Sequence, residues 1–382
     1  MQKFNIGEWS EAYVFLDLLA VGQMSAQPLS GHKTDAALKI ISVMKTDNNG
    51  NKYEFRRNND SVSCFKNEEQ YKSIAISDFS KIEKICFYKL KEGKKEIPEV
   101  FDFYTNILQL DISILKSKAD NKDDIILKVE NSVDNSIYTE GFSIKSKIGS
   151  NATLFNCGAG SNLVYTLKGI DESIKKKINS IVGDKDSIDL PARLNFIRDN
   201  NIPMKFANSK CVKNSKEGYG GIKIDGNYFA WNLDLLDWRI LLVLSEMVKR
   251  FHQGEINGKR INSISEMINI MKIENPLQVR FPENFYEAKM RQFLFASFCG
   301  LTATKKWDGR QKVNGGYIEV QKDGNIFYQK ALSDESFTDY LITNTKFDGP
   351  AKSKEHGNYG YVYFDEEYNS YCIDLNFQIR FK

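Results

Sequence analysis

Histidine is scarce in this chain, with three among 382 residues: His32, His252 and His356. That scarcity excludes chemistries that need several imidazoles, zinc hydrolysis above all. The six cysteines are scattered, with no C-x-x-C pair and none beside a histidine at zinc-ligand spacing, so they read as reduced thiols of a cytoplasmic protein. The opening MQKFNIGEWSEAY lacks the basic start and apolar run of a signal peptide, and no long uninterrupted apolar window occurs, so neither export nor a membrane span is expected. Motifs of the type G-x-x-x-x-G-K-[ST], G-x-G-x-x-G after a strand and G-x-S-x-G are absent, which leaves nucleotide-driven work and α/β-hydrolase chemistry without support. Charge of one sign is missing too: 53 basic residues stand against 50 acidic, a net +3. A polyanionic partner must therefore be met by a local basic cleft.

What is present is a chain with 41% hydrophobic and 12% aromatic residues, enough to fill a large core as one complex domain or two packed ones. No internal repeat or low-complexity linker interrupts it. Trp9, Ala12, Tyr13, Leu16 and Leu19 fall at helical spacing and predict a helix over 5–19 that ends before Gly22. Segments 37–47 and 52–65 read as strands joined by the turn 46–50. Residues 124–130 (DIILKVE) and 141–148 form a second predicted hairpin, in which Gly141, Ser143, Lys145 and Lys147 share a face that points away from the core. The middle is mainly helical, over 171–181, 190–198, 232–251, 263–271 and 282–299. The tail returns to strands, with a hairpin at 322–325 and one long alternating strand over 371–381.

Acid and lysine chemistry is what this inventory leaves. Hydrolysis of a phosphodiester needs a divalent metal held by carboxylates at a sheet end, with a lysine near the attacking water. Asp124 opens one strand of the second hairpin and Lys145 lies mid-strand in the next, so one turn brings acid and amine together. Taken alone the pattern is generic, and the plain alternative for Lys145 is a solvated lysine on a strand face. On the first helix Glu11 shares a face with Phe15 and Leu18, a carboxylate at the edge of an apolar stripe. Glu8 lies one turn earlier, where Asn5 and Glu8 also have the spacing of a capping box.

The blocks GEWSEAYVFLDLL, DDIILKVE followed by GFSIKSKIGSNATLFN, KKWDGRQKVNGGY and YGYVYFDEEYNSYCIDLNFQIRFK resemble the HpaII family of type II restriction endonucleases. The resemblance implies an α/β (α+β) fold with a PD-(D/E)xK nuclease core, a mixed sheet flanked by helices. It places the core over 1–165, a mainly helical region over 166–300 and a β-rich, DNA-recognising region over 301–382. It further implies a Mg2+-dependent double-strand cut at CCGG, with Asp124 as metal-binding aspartate, Lys145 as catalytic lysine and Glu11 or Glu8 as the additional helix acid. Ser143 departs from the superfamily pattern, for an Asp or Glu is usual there. A hydroxyl is a weak ligand for a hard cation, so the helix acid must supply the missing charge, with the Ile144 carbonyl as a neutral ligand.

DNA contacts are expected from Lys147, Ser150, Asn151 and Thr153 after the catalytic strand, from Lys306, Arg310 and Lys312 around Trp307, and from Lys352, Lys354 and His356 in a tail loop. The partners implied are double-stranded DNA, a cognate DNA methyltransferase as functional companion, and a second copy if a palindrome is met by a two-fold dimer. Two other readings stand beside this one: a catalytically degenerate DNA-binding protein on a nuclease fold, motivated by Ser143, and a structure-selective repair or recombination nuclease, motivated by the Gly7-x-x-x-Glu11 spacing.

Overall fold

A computed structural model of the chain describes residues 4–26, 36–111, 114, 123–149, 151–183, 187–209, 228–256, 259–310, 315–329, 335–350 and 358–382. In chain order the strands are β1 (Gln23–Ala26), β2 (Ala37–Thr46), β3 (Lys52–Arg57), β4 (Ser61–Lys66), β5 (Glu69–Ala75), β6 (Ile125–Asn131), β7 (Ile137–Ser146), β8 (Thr153–Phe155), β9 (Leu163–Leu167), β10 (Met204–Ser209), β11 (Glu255–Ile256), β12 (Lys259–Arg260), β13 (Gly316–Val320), β14 (Ile326–Gln329), β15 (Thr345–Asp348), β16 (Val362–Asp365), β17 (Ser370–Leu375) and β18 (Gln378–Phe381). The helices are α1 (Ile6–Val21), α2 (Ile76–Lys91), α3 (Pro98–Asp102), α4 (Glu172–Asn179), α5 (Leu190–Asp199), α6 (Tyr228–Asp234), α7 (Arg239–His252), α8 (Ile264–Glu274), α9 (Pro282–Phe298) and α10 (Glu335–Asn344). The class is mixed α and β.

Contacts divide the chain into two compact units, residues 1–152 with 311–337, and residues 153–310 with 338–382. The first unit holds a nine-stranded mixed sheet in the order β1-β14-β13-β7-β6-β2-β3-β4-β5, and β1 pairs with β2 as well. Six strands therefore close into a hydrogen-bonded ring, from which β3, β4 and β5 extend. The β1–β14 and β13–β7 pairs are parallel and the rest antiparallel. Strand β7 is thus central, with β6 on one side and β13 on the other.

Helix α1 packs into this unit almost wholly enclosed. From Trp9 to Ala20 every residue is buried except Glu11 and Asp17, so the helix is apolar nearly all round rather than along one stripe. Phe15 meets Phe55 edge-on at 4.9 Å and Tyr104 at 5.5 Å. Both ends are fixed. Asn5 accepts from the Glu8 N–H at 2.9 Å while the Glu8 carboxylate accepts from the Asn5 N–H at 2.7 Å, a complete capping box. Gly22 closes the other end in the left-handed region at φ 80°, and Arg57 Nε donates to the Leu19 carbonyl at 3.1 Å, using an acceptor the helix itself leaves open.

The second unit carries the antiparallel sheet β10-β9-β17-β16 and the three-stranded sheet β15-β18-β8. Its centre is a phenylalanine cluster in which Phe155 lies 5.2–5.4 Å from Phe293, Phe229 and Phe377. Two expectations are corrected here. The predicted strand 371–381 is two strands, β17 and β18, in different sheets. Asn376 makes the break: its side chain accepts from the Phe377 N–H and from Ser161, and donates to the Gly158 carbonyl, which replaces ladder bonds with side-chain bonds. The predicted helix 232–251 is likewise two, α6 and α7, separated by a turn in which Asp237 N–H and Leu236 N–H both reach back to Leu233 O.

Because Gly22 needs a positive φ, and an added Cβ there would be driven into the Arg57 guanidinium, Gly22→Ala is expected to lower stability by at least about 1–2 kcal/mol, measured by chemical denaturation. An unchanged midpoint would mean that α1 is not held through this cap.

Candidate active site

The site is built where β6 begins. Asp124 N–H donates to Phe142 O at 2.9 Å, which continues the β6–β7 ladder by one residue and sets the carboxylate beside β7. Its Oδ2 accepts from the Ile144 N–H at 2.6 Å and from Ser143 Oγ at 3.2 Å. Ser143 therefore serves as a donor to the aspartate, and what Ile144 brings to Asp124 is its N–H. The row Gly141, Ser143, Lys145 and Lys147 does not open to solvent as expected. Gly141 and Ser143 are buried and both lysines half-buried, because β7 is a central strand with β13 alongside, where Tyr317 stands at the register of Ser143 and Glu319 at that of Lys145.

Asp123, next to the site, presses its carboxyl against Gly141, where a Cβ would occupy its place. Burial, with Asp124 as a second cause, raises Asp123 to about 6.

Glu11 comes from α1. Burial pushes it up to about 8, with Asp124 adding to the rise and Lys45 and Lys145 opposing it. Its Oε2 is buried without a hydrogen-bond partner. A carboxyl withdrawn from water, with one oxygen lacking a donor and another acid nearby, favours its neutral form. Glu8, the other candidate helix acid, has its carboxylate committed to the capping box, so the geometry favours Glu11 over Glu8. A second α1 acid, Asp17, is raised to about 7 by burial and then by Glu83 of α2, a separate pair from the one at the start of β6.

Two residues went unnoticed in the sequence. Lys45, near the end of β2, is only 9% exposed and acts on Glu11 ahead of Lys145. Glu319 on β13 is 2% exposed and binds Lys147 Nζ at 2.7 Å, with Gln321 donating to it as well. Lys147, expected on a phosphate, is thus engaged by a carboxylate within the first unit. The signal for Glu319 was a lone acid inside the apolar run GYIEV.

The remaining DNA-contact candidates scatter. Asn151 lies in the first unit and Thr153 opens β8 in the second. Lys306 and Arg310 are exposed in the second unit, on a loop anchored by Asn232, which accepts from the Trp307 N–H at 2.8 Å and donates to the Lys305 carbonyl at 2.8 Å. Ser150, Lys312, Lys352, Lys354 and His356 lie outside the described residues.

Magnesium was implied by the resemblance, and the donor set is of the right chemistry. Glu11 Oε2 is an orphan oxygen, Asp124 is a second carboxylate, and hard cations take oxygen ligands. Among the described residues, however, no three His, Cys, Asp or Glu side chains gather into a metal-ready group. No helix among the described residues is long and apolar enough to cross a membrane, and the five described cysteines are free.

The sign of the Glu11 shift fixes a pH dependence. An acid raised from 4.5 to about 8 on folding costs the metal-free fold nothing below the lower value. Above it the cost grows, until it levels off beyond the higher one. Glu11→Gln is therefore expected to raise the melting temperature of chelator-treated protein by a few degrees at pH 9, with the gain vanishing near pH 4.5. A gain independent of pH would remove burial of the ionised acid as its cause.

The family model described as HpaII restriction endonuclease matches residues 5–381. Type II restriction enzyme HpaII of Haemophilus parainfluenzae is 28% identical over 384 residues, covering 99% of this chain and 98% of that protein. No solved structure matches the chain. A match that runs from the cap of α1 to the last strand embraces both units and every residue of the site, and the chain belongs to the HpaII restriction endonuclease family of type II site-specific deoxyribonucleases.

Proposed function

We propose that this enzyme makes a Mg2+-dependent double-strand cut at CCGG, with the start of β6 and helix α1 forming the active site of a PD-(D/E)xK core. The observation that carries the reading is the pair Glu11 and Asp124, in which burial and the nearby aspartate both disfavour the ionised form of Glu11, with Lys145 in the same field.

When bound there, a magnesium ion supplies Lewis-acid polarisation of the phosphate and a more acidic water. Asp124, held by Ile144 and Ser143, and Glu11, presented by the enclosed helix, are the residues that would hold it. Lys145 positions the attacking water and balances the charge that develops on the phosphate. Ser143 fixes the aspartate rotamer by donating its hydroxyl, which gives the position a use without a carboxylate. Hydrolysis leaves a 5′-phosphate and a 3′-hydroxyl. The substrate is double-stranded DNA, met by a two-fold dimer or by successive monomers, and a cognate DNA methyltransferase protects the host copy of the site. Arginines and lysines of the second unit, Lys306 and Arg310 among them, are the kind of side chain that reads guanine in the major groove.

Incubation of the purified protein with a sequenced plasmid, with Mg2+ or with chelator, tests this directly. Discrete Mg2+-dependent fragments ending at CCGG are expected, with Lys145→Ala and Asp124→Asn each slower by about 10²–10⁴-fold. Retained DNA binding with an intact plasmid would sink the proposal in favour of a degenerate nuclease fold.

A further inference from the structure

Glu319 is a buried acid on the face of the sheet that carries the site. Strand β13 pairs with β7 in parallel, and Glu319 stands at the register of Lys145, with Tyr317 at that of Ser143. Residues level with one another on neighbouring strands present their side chains on one face, and alternate residues of a strand share it too. Ser143 belongs to that face, and its hydroxyl meets Asp124. The row therefore runs across three strands, with Asp124 on one flank of Ser143 and Lys145 and Glu319 on the other.

The cation level with Glu319 is Lys145, yet the ion pair is made by Lys147, two residues further on, whose Nζ lies 2.7 Å from Glu319 Oε1. The main chain ties Lys147 to β13 as well, its N–H donating to the Val320 carbonyl at 2.9 Å. The Gln321 amide donates to the same Glu319 oxygen. At 2% exposure, this carboxylate has no water to fall back on, and a buried charge stripped of its partner is strongly destabilising. Without Lys147 it would draw in the next cation within reach, which is Lys145. In the intact protein Lys145 is left outside that ion pair, and its charge acts on Glu11.

We propose that Lys147 is a positioning residue of the active site: by occupying Glu319 it keeps that buried acid from capturing Lys145, and so leaves the catalytic ammonium for the side of Asp124 and the phosphate. The role rests on the nuclease reading above and deepens it. Lys147 then acts through Lys145 and not on the DNA, and Glu319 serves to anchor the end of β7 to β13.

The test uses the full-length protein, its Lys147→Met, Lys147→Arg and Glu319→Gln variants, the double variant Lys147→Met with Glu319→Gln, and a short duplex carrying CCGG. Single-turnover cleavage is followed with Mg2+, and binding without divalent metal is followed against salt. Lys147→Met is expected to cleave on the order of 10²-fold more slowly, the cost of a displaced catalytic group, with the salt slope of binding unchanged. Lys147→Arg keeps the ion pair and most of the rate. Adding Glu319→Gln to Lys147→Met removes the competing acid and restores most of the lost rate, the non-additivity expected of residues in one charge network. If the methionine variant does not fold, Lys147→Gln, whose amide still donates to Glu319, carries the same readouts. A slow Lys147 variant that Glu319→Gln fails to rescue overturns the proposal, and a salt slope shallower by about 0.9 would then assign Lys147 to a phosphate. A folded Lys147→Met that cleaves at the wild-type rate overturns it too. Both outcomes leave the nuclease reading standing, whereas a wild-type protein that cuts no duplex overturns both.

Discussion

A half-buried glutamate set beside a second acid is the constraint around which the first unit is arranged. Glu11 and Asp17 interrupt a helix that is otherwise buried from Trp9 to Ala20, and Glu11 feels the charge of Asp124 at the head of a strand. Neither burial nor the neighbouring aspartate favours its ionised form, and Lys45 and Lys145 together only moderate that. Stability alone would replace such a glutamate with an apolar residue of similar volume. Its presence, with an oxygen that no donor reaches, is the local violation of core chemistry that functional sites characteristically carry.

Holding such a pair needs rigid supports, and the supports are identifiable. The capping box and the Gly22–Arg57 closure fix α1 at both ends, so Glu11 cannot relieve its position by fraying. Asp124 is fixed from β7 by one main-chain and one hydroxyl donor. The closed ring of β1, β14, β13, β7, β6 and β2 leaves the strands that carry Asp124, Lys145 and Lys45 without a free edge among them, which limits slippage of their register.

Much of this was readable from the sequence where local chemistry decides. The helix over 5–19, its glycine stop, the 46–50 turn and the hairpin that brings Asp124 to β7 all follow from periodicity and turn residues; α1 lies where those signals put it, while β7 runs Ile137–Ser146 and so begins before the expected Gly141. Lys45 was not readable, and the reason is specific. Strand β2 shifts register between Ile40 and Ser42, so the buried face runs Leu38, Ile40 and then Val43, Lys45. Simple alternation puts Lys45 on the opposite face from Leu38 and Ile40, because a bulge is invisible to period-2 counting. Glu319 was missed for a different reason: it reaches β7 through a parallel pairing between distant segments, which no local pattern reports. The break at Asn376 belongs to the same class, since the partners that stop the strand, Gly158 and Ser161, are remote in sequence.

Metal binding to the resting enzyme goes to the centre of this arrangement. Titration calorimetry with Ca2+ or Mg2+ near pH 7, repeated in buffers of different ionisation enthalpy, counts the protons released as the ion binds. If Glu11 is held neutral by burial and is a ligand, binding releases close to one proton at that pH, while Glu11→Gln binds more weakly and releases almost none. Equal affinity and equal proton release in the two proteins would contradict the view that this buried glutamate waits for a cation.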